Sequence, residues 1–460
     1  MSVLLRGKRQ GRVRLWCVSL IVLLGSFAMG ENGQAAEQRP FRGSVGMSVL
    51  LCKYKNEPTP ANPRTFFENL AIKAGTGGHA DYWRAVSFGG VDLQGSTVKG
   101  WYFLDQTADQ ARAYGGGGSA NRIKKFTDCR DKAIIQGYTP PSDHMVIVIT
   151  SPGIDTFGFG GGAFVSEDAN VGIMSHEVGH GFTLSHSFSD DPAYQNATWC
   201  AIGEYDDQWD LMSYANVLSM NTGTFGSGGP GPNAYHRDRM GWLPRNKIFR
   251  FGADGGTDRT ITVTALNRPN GSGYQLIRIP FDPNDRYRYF TVEYRVNQDW
   301  DAGFPGDIVL LHEVKERSGG NYVSYLLRDH SAARSPKQSI NRDGVQIDVV
   351  STDAANNRAT VRIRSNRVDR CLQGYVWREA NPTDKVCVVP PRRSEVRTEN
   401  QQAASRRQPG GGPYGPDTCK QGSVWREAFT GDHVCVPVAS RTKARQENES
   451  ASDRLAKKGA

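Results

Sequence analysis

The chain has 460 residues, 38% of them hydrophobic and 22% charged, with a formal net charge of +9 and a pI near 9.1. That length is too great for one compact core, so about two to four domains are expected. The positive charge does not describe the body of the chain. Five of the cations lie within the first 14 residues, and from Arg367 to the end 17 Lys/Arg stand against 11 Asp/Glu. The body between is therefore slightly acidic, which excludes nucleic-acid binding on charge grounds.

The N-terminus reads as an export signal. Arg6, Lys8, Arg9, Arg12 and Arg14 precede the apolar run LWCVSLIVLLGSFAMG, which is too short and too Ser/Gly-interrupted to span a bilayer. Residues 1–36 are assigned to this leader, with cleavage after Gly30 or near Ala36. No later stretch could cross a membrane, so a secreted, bacterial, extracellular protein is expected. Loss of Cys17 with the leader leaves seven cysteines for an oxidising destination. Cys371 and Cys387 are 16 residues apart, as are Cys419 and Cys435, which predicts two local disulfides. Cys52, Cys129 and Cys200 remain, and one of them is expected to be a free thiol.

GMSVLLCKY (46–54) predicts a buried strand. ANRIKKFTDCRDKAII (120–135) predicts a helix with Ile123, Phe126, Cys129 and Ala133 on one stripe. HMVIVIT (144–150) is the clearest buried strand, followed by FGFGGG (157–162), read as a mobile loop without phosphate-binding character, and then by a helix. These elements make residues 40–245 an α/β (α+β) domain. TITVTAL, GYQLIRIPF, YRYFTVEYRV, DIVLLHEV, NYVSYLL, GVQIDVVS and ATVRIRS follow with no helical pattern between them, which predicts an all-β sandwich over 246–366. CLQGYVWREANPTDKVCVVP (371–390) then aligns without gaps to CKQGSVWREAFTGDHVCVPV (419–438), a period of 48 residues. Two small disulfide-containing repeats are assigned, 367–407 and 419–460, joined by a Gly/Pro linker at 408–418.

HEVGHGFTLSH (176–186) holds three of the nine histidines. On a helix His176 and His180 project from one face, a turn apart, so two imidazoles can share a zinc ion. Glu177 lies beside them as general base toward a water activated by the metal. His186 is at a spacing that can supply the third ligand. The motif WDLMSY (209–214) adds a methionine turn.

HExxHxxxxxH followed by this Met-Ser-Tyr turn resembles the metzincins. DYWRAVSFGGVDLQGS (81–96), EYDDQWDLMSY (204–214), RMGWLP (239–244) and FTVEYRVNQDWDAGFPGDIVLLHEV (290–314) resemble, more narrowly, the gametolysin and immune inhibitor A type of secreted peptidase. The resemblance covers about 45–365. It implies a zinc metallopeptidase domain with one catalytic Zn2+ on His176, His180 and His186, Glu177 as base, and Met212 supporting the site from below. It also implies that Tyr214 ligates the resting metal or steadies the transition state. The substrate implied is a protein or peptide. One position departs from the pattern, because Thr183 stands where metzincins carry glycine. Threonine resists positive φ, so Asp190, Asp191 or Glu204 stay open as alternative third ligands.

Other features have structural readings. The acidic residues Glu204, Asp206, Asp207 and Asp210 could hold Ca2+, against a solvated, hydrogen-bonded loop. His312 reads as a structural residue of the β domain. No cysteine-switch inhibitory motif surrounds Cys52. The VWREA repeats resemble C-terminal modules of bacterial secreted proteins. Tyr375, Trp377, Arg378, Trp425 and Arg426, if exposed, could bind a cell-surface polymer; otherwise the tryptophans form the core of each unit. The competing reading of the whole chain is a secreted surface-binding protein whose peptidase-like domain is inactive.

Overall fold

The computed structural model describes residues 42–457, apart from 59, 61, 254–256, 283–284, 286, 331–334, 383 and 430. The leader and its cleavage alternatives lie outside the described residues. The chain is a mixed α/β protein of several sheets with eight α-helices among the described residues. It forms two compact units, Phe41–His186 with Ala193–Pro230, and Ser187–Pro192 with Gly231–Ala460.

The first unit is built on a five-stranded sheet. Its strands are β1 (Met47–Lys53), β2 (Thr97–Phe103), β3 (Met145–Thr150), β4 (Phe157–Phe159) and β5 (Gly162–Ser166). Their order is β2-β1-β3-β5-β4, all parallel except the antiparallel edge strand β4. All seven residues of β1 are buried, as the unbroken apolar run requires of a central parallel strand covered on both faces. The helices of this unit are α1 (Arg64–Ala71), α2 (His79–Val86), α3 (Ala108–Ala113), α4 (Lys124–Ile135) and α5 (Val171–Gly181). Phe126, Cys129 and Ala133 of α4 pack on Leu50, Cys52, Val148 and Phe164 of the sheet. Ile123 leaves the predicted stripe, because the helix begins one residue later and Ile123, at its N-cap, is 41% exposed.

FGFGGG is ordered rather than a loop. Its first three residues form β4, paired with β5 through Phe157↔Phe164 and Phe159↔Gly162, and Phe157 stacks on Phe164. The glycines that suggested mobility form the tight turn of this hairpin, where Gly161 takes a φ of +87°.

The expectation of a free thiol is also overturned. Cys52 of β1 and Cys129 of α4 face one another and are joined, S–S 2.01 Å, across 77 residues. Cys200 is disulfide-bonded as well, and no free cysteine is found among the described residues. The odd count rested on removing Cys17, which lies outside the described residues.

The second unit contains a six-stranded sheet and a four-stranded sheet. In the first, strands 248–250, 276–280, 289–295, 308–318 and 321–326 lie in that order, and the short strand Phe188–Ser189 pairs in parallel with 321–326. In the second the order is 258–264, 358–365, 345–353 and 339–342, all antiparallel. Alternating residues of both, among them Val263, Ile277, Val292, Leu311, Ile347 and Val361, share one buried core, the arrangement of a sandwich. His312 is buried within strand 308–318.

The repeats fold as a strand pair and a helix each. Val376–Trp377 pairs with Cys387–Val388, and Ser423–Trp425 with Cys435–Pro437. The helices are α7 (Pro390–Arg406) and α8 (Val438–Glu449), taking α6 as Ala234–Arg239. Both expected disulfides are present, Cys371–Cys387 and Cys419–Cys435. The burial follows neither reading of the motif. Arg378 and Arg426 are wholly buried, so neither is available to a surface polymer, while Trp377 and Trp425 are only half-buried.

Candidate metal centre

Helix α5 starts at Asn170, whose side chain accepts a hydrogen bond from the Ile173 backbone N–H as an N-cap. Its sequence VGIMSHEVGHG is apolar on nearly every face, and ten of its eleven residues are buried, as expected of a helix enclosed by its own domain. Two glycines allow the enclosure. A Cβ at Gly158 of β4 would lie 2.0 Å from the Glu177 carbonyl oxygen, and one at Gly179 would lie 2.7 Å from the Met212 sulfur. The edge strand and the methionine turn therefore both press against the stretch that carries the histidines. Met212 is fully buried there.

The helix ends in a left-handed turn. Leu184 N–H bonds to the Gly179 carbonyl and Thr183 N–H to the His180 carbonyl, the two bonds of a Schellman motif. Thr183 occupies the position glycine usually fills and takes a φ of +68°. The chain thus makes the sharp exit with threonine, and the strain this implies for a β-branched residue is accepted at the site. His186 follows two residues past Leu184 and is brought back toward the helix.

His176, His180 and His186 come together, with one ligand atom from each lying within 4.8 Å of the others. His176 is fully buried and His186 is 8% exposed. Every Nδ1 has an acceptor outside the cluster: Leu211 O at 3.0 Å for His176, Leu184 O at 2.8 Å for His180, and Glu204 Oε1 at 2.7 Å for His186. Placing the hydrogens on Nδ1 leaves each Nε2 as a lone pair, the tautomer that a metal ligand needs. The Nε2 atoms of His180 and His186 are 2.9 Å apart, and the Nε2 of His176 is buried with no hydrogen-bond partner. In that tautomer a cation among the three Nε2 atoms would satisfy them together. These residues can hold a metal ion. Burial, followed by the neighbouring His186, lowers the His176 pKa to about 3, which keeps that ring neutral and able to coordinate.

The alternatives for the third ligand find other positions. Glu204 stands behind His186, and its second oxygen accepts from Ala201 N–H at 2.9 Å. It is thus an orienting carboxylate of the kind that fixes ligand histidines. Asp190 Oδ1 accepts from Arg328 N–H at 2.8 Å within the β-rich unit, and neither Asp190 nor Asp191 joins the triad.

Glu177 is 3% exposed. Burial pushes its pKa up to about 8, against the opposing effects of the Arg122 charge and the Gly158 N–H. Arg122 itself is held by Asp155, at 2.9 and 2.7 Å. The Tyr214 hydroxyl donates to Asn170 Oδ1 at 2.6 Å, so it braces the start of α5. A second hydroxyl, that of Tyr205, lies at the triad, 2.8 Å from His186 Nε2. Tyr205 is buried and has a φ of +64°. Sequence reasoning passed over it because a lone tyrosine between two acidic residues carries no spacing signal.

The acidic residues 204–210 form a buried loop in place of a solvated one. Asp207 Oδ1 accepts from Trp209 N–H, and Asp210 Oδ1 from Met212 N–H at 2.8 Å. These bonds shape the methionine turn, and the histidines are the one cluster of metal-ligand geometry among the described residues. The Cys52–Cys129 bond leaves no thiolate at Cys52 to block a metal. A cavity of about 1230 Å³ does exist elsewhere, lined by Arg250, Asp258, Trp425, Glu427 and His433 of the second unit. No group of metal-ligating side chains converges there among the described residues, so chemistry rather than volume selects the histidine cluster. No protein-family model matches the chain, and no curated protein matches it.

Proposed function

We propose that the chain is a secreted zinc-dependent endopeptidase with His176, His180 and His186 as ligands and Glu177 as general base. One observation carries the reading: three imidazoles with all Nδ1 positions engaged turn their Nε2 atoms on one another, two of them at 2.9 Å. An all-imidazole donor set suits zinc among the common ions, whereas calcium and magnesium require oxygen ligands. Bound there, zinc supplies Lewis acidity that makes water nucleophilic near neutral pH.

The residues of the chain supply the rest. Glu177 adjoins the first ligand in sequence, and its burial strengthens its hold on a proton. It accepts the proton of the attacking water and returns it to the leaving amine. Tyr205, beside His186, offers an O–H to the oxyanion that forms on the peptide carbonyl. The edge strand β4, pressed against α5 through Gly158, offers an extended peptide a backbone to pair with. No helix among the described residues is long and apolar enough to cross a membrane, and the disulfides accord with an oxidising, extracellular location.

The test is hydrolysis of an unfolded protein mixture by the purified chain beside Glu177→Ala, with zinc measured on both. Cleavage by the wild type alone, with about one zinc per chain in each, is expected. Zinc without cleavage in either protein points to the surface-binding reading, and absence of zinc from both overturns the metal site.

A further inference from the structure

The two VWREA repeats contact one another through a set of residues used reciprocally, with Arg392 adding a one-sided bond to Glu447 at 2.7 Å. In repeat 1, Arg378 grips its own Asp384 at 2.9 and 3.1 Å and reaches Glu447 and Asn448 on α8 of repeat 2 at 3.3 and 2.9 Å. In repeat 2, Arg426 grips Asp432 at 2.8 and 3.1 Å and reaches Glu399 and Asn400 on α7 of repeat 1 at 3.3 and 2.8 Å. Each residue in the first set lies one 48-residue period from its counterpart. The asparagines close the circuit, since Asn400 donates to Ala380 O and Asn448 to Ala428 O. The apolar centre follows the same rule, with Ala380 and Ala428, and Val396 and Ala444, in one small cluster. This is the isologous pattern of a two-fold dimer, realised within one chain.

The energetics make the pairing obligatory for each repeat. Arg378, Arg426, Glu399 and Glu447 are between 0% and 7% exposed. A repeat on its own would have a core of one disulfide and a few apolar side chains, with a guanidinium lacking half its acceptors. Removing one partner from a buried charge network leaves the other charge uncompensated and is strongly destabilising. The linker does not stand in for this contact. It is a closed loop, with its ends bridged at Arg407↔Cys419 and through Gln408 N–H to Thr418 O.

We propose that the VWREA repeat is a self-pairing module whose partner is a second VWREA repeat. In this chain repeats 1 and 2 saturate each other, and when the linker is opened they pair with their counterparts in a second copy of the chain. The buried arginine of the motif reads the partner's Glu-Asn step; it does not read an external ligand.

The experiment uses the full chain with a site-specific protease sequence inserted between Gly411 and Gly412, cut under native conditions with disulfides intact. The C-terminal fragment is expected to remain bound through size exclusion, and to exchange onto an untagged cut copy when a tagged cut copy is mixed with it. Arg378→Ala with Arg426→Ala should weaken retention about 100-fold or more. The fragment is also held by strand Leu455–Lys457 on Arg367–Cys371 and by Arg392 on Glu447, so retention unchanged in that variant would assign the hold to these contacts and overturn the proposal. Release of the wild-type fragment would overturn it too. Should the arginine variant fail to fold, Asn400→Ala with Asn448→Ala removes only the neutral half of the contact. A weakening of about 10-fold is expected there, and none would refute the reciprocal reading.

Discussion

Replacing Thr183 by glycine should stabilise the first unit, although it deletes a side chain beside the metal site. Threonine is held at a φ of +68°, a conformation that costs a β-branched residue about 1–3 kcal/mol. Its hydroxyl oxygen is also buried without a hydrogen-bond partner, an added penalty that glycine removes. Against this, glycine raises the entropy of the unfolded chain by about 0.5–1 kcal/mol. The side chain gives up little packing, because it is half-buried. The balance is a gain of about 1 kcal/mol, which for a unit of this size raises Tm by about 2–4 °C. Differential scanning calorimetry of Thr183→Gly and Thr183→Val would test the argument. Glycine should melt highest, and valine, which sheds the unpartnered hydroxyl but keeps the branched Cβ at positive φ, should fall below it. Metal uptake should not change, since the Schellman bonds run through the backbone. A glycine variant that melts lower than wild type would show that the turn is not strained by threonine, and the reasoning would fail.

Three further outcomes are expected. Glu204→Ala removes the acceptor for His186 Nδ1 and should weaken metal binding about 10–100-fold, with Glu204→Gln losing less; competition against a zinc-binding dye measures both. Burial raises the pKa of Asp155, but the Arg122 hydrogen bond and charge, with help from Lys125, hold it below the ordinary carboxylate value. A depressed folded-state pKa contributes stability that is present above the unfolded pKa of about 3.9 and lost as pH falls through the folded value. Asp155→Asn should therefore lower stability at pH 7 and flatten its acid dependence in this range, read from urea midpoints at a series of pH values; an unchanged acid profile would remove Asp155 as its source. Cys52→Ala with Cys129→Ala opens a loop of 77 residues, and chain entropy sets the loss near 4–5 kcal/mol. An equal urea midpoint for that variant and the wild type would show the bond adds nothing to equilibrium stability.

Where sequence reasoning succeeded, the information was local or periodic. The i, i+4 spacing of His176 and His180 places both on one helical face, whatever surrounds them. Wholly apolar HMVIVIT could hardly be other than an interior strand. The 48-residue register was legible because each half of the repeat carries the same cysteine spacing. It failed where composition was taken for environment. FGFGGG looked mobile through its glycines, yet Gly158 is needed because α5 lies too close for a Cβ. The free thiol was inferred from a count, while Cys52 and Cys129 met across the sheet-helix contact. Whether the VWREA arginines are exposed was not legible, because it depends on the other repeat; each is buried with partners from it.

The sequence by itself pointed to the three clustered histidines, the helix that bears two of them, the β-rich second part and the doubled tail. Each is written in spacing along the chain, which backbone geometry converts directly into position. The tertiary structure alone decided what makes the histidines a site. The Nδ1 partners Leu211 and Glu204 lie 35 and 18 residues from the histidines they hold. Tyr205 brings its hydroxyl to the cluster, and Arg378 meets Glu447 across 69 residues. Such contacts follow from how the layers close on one another, and packing of that kind leaves no period in the sequence to read.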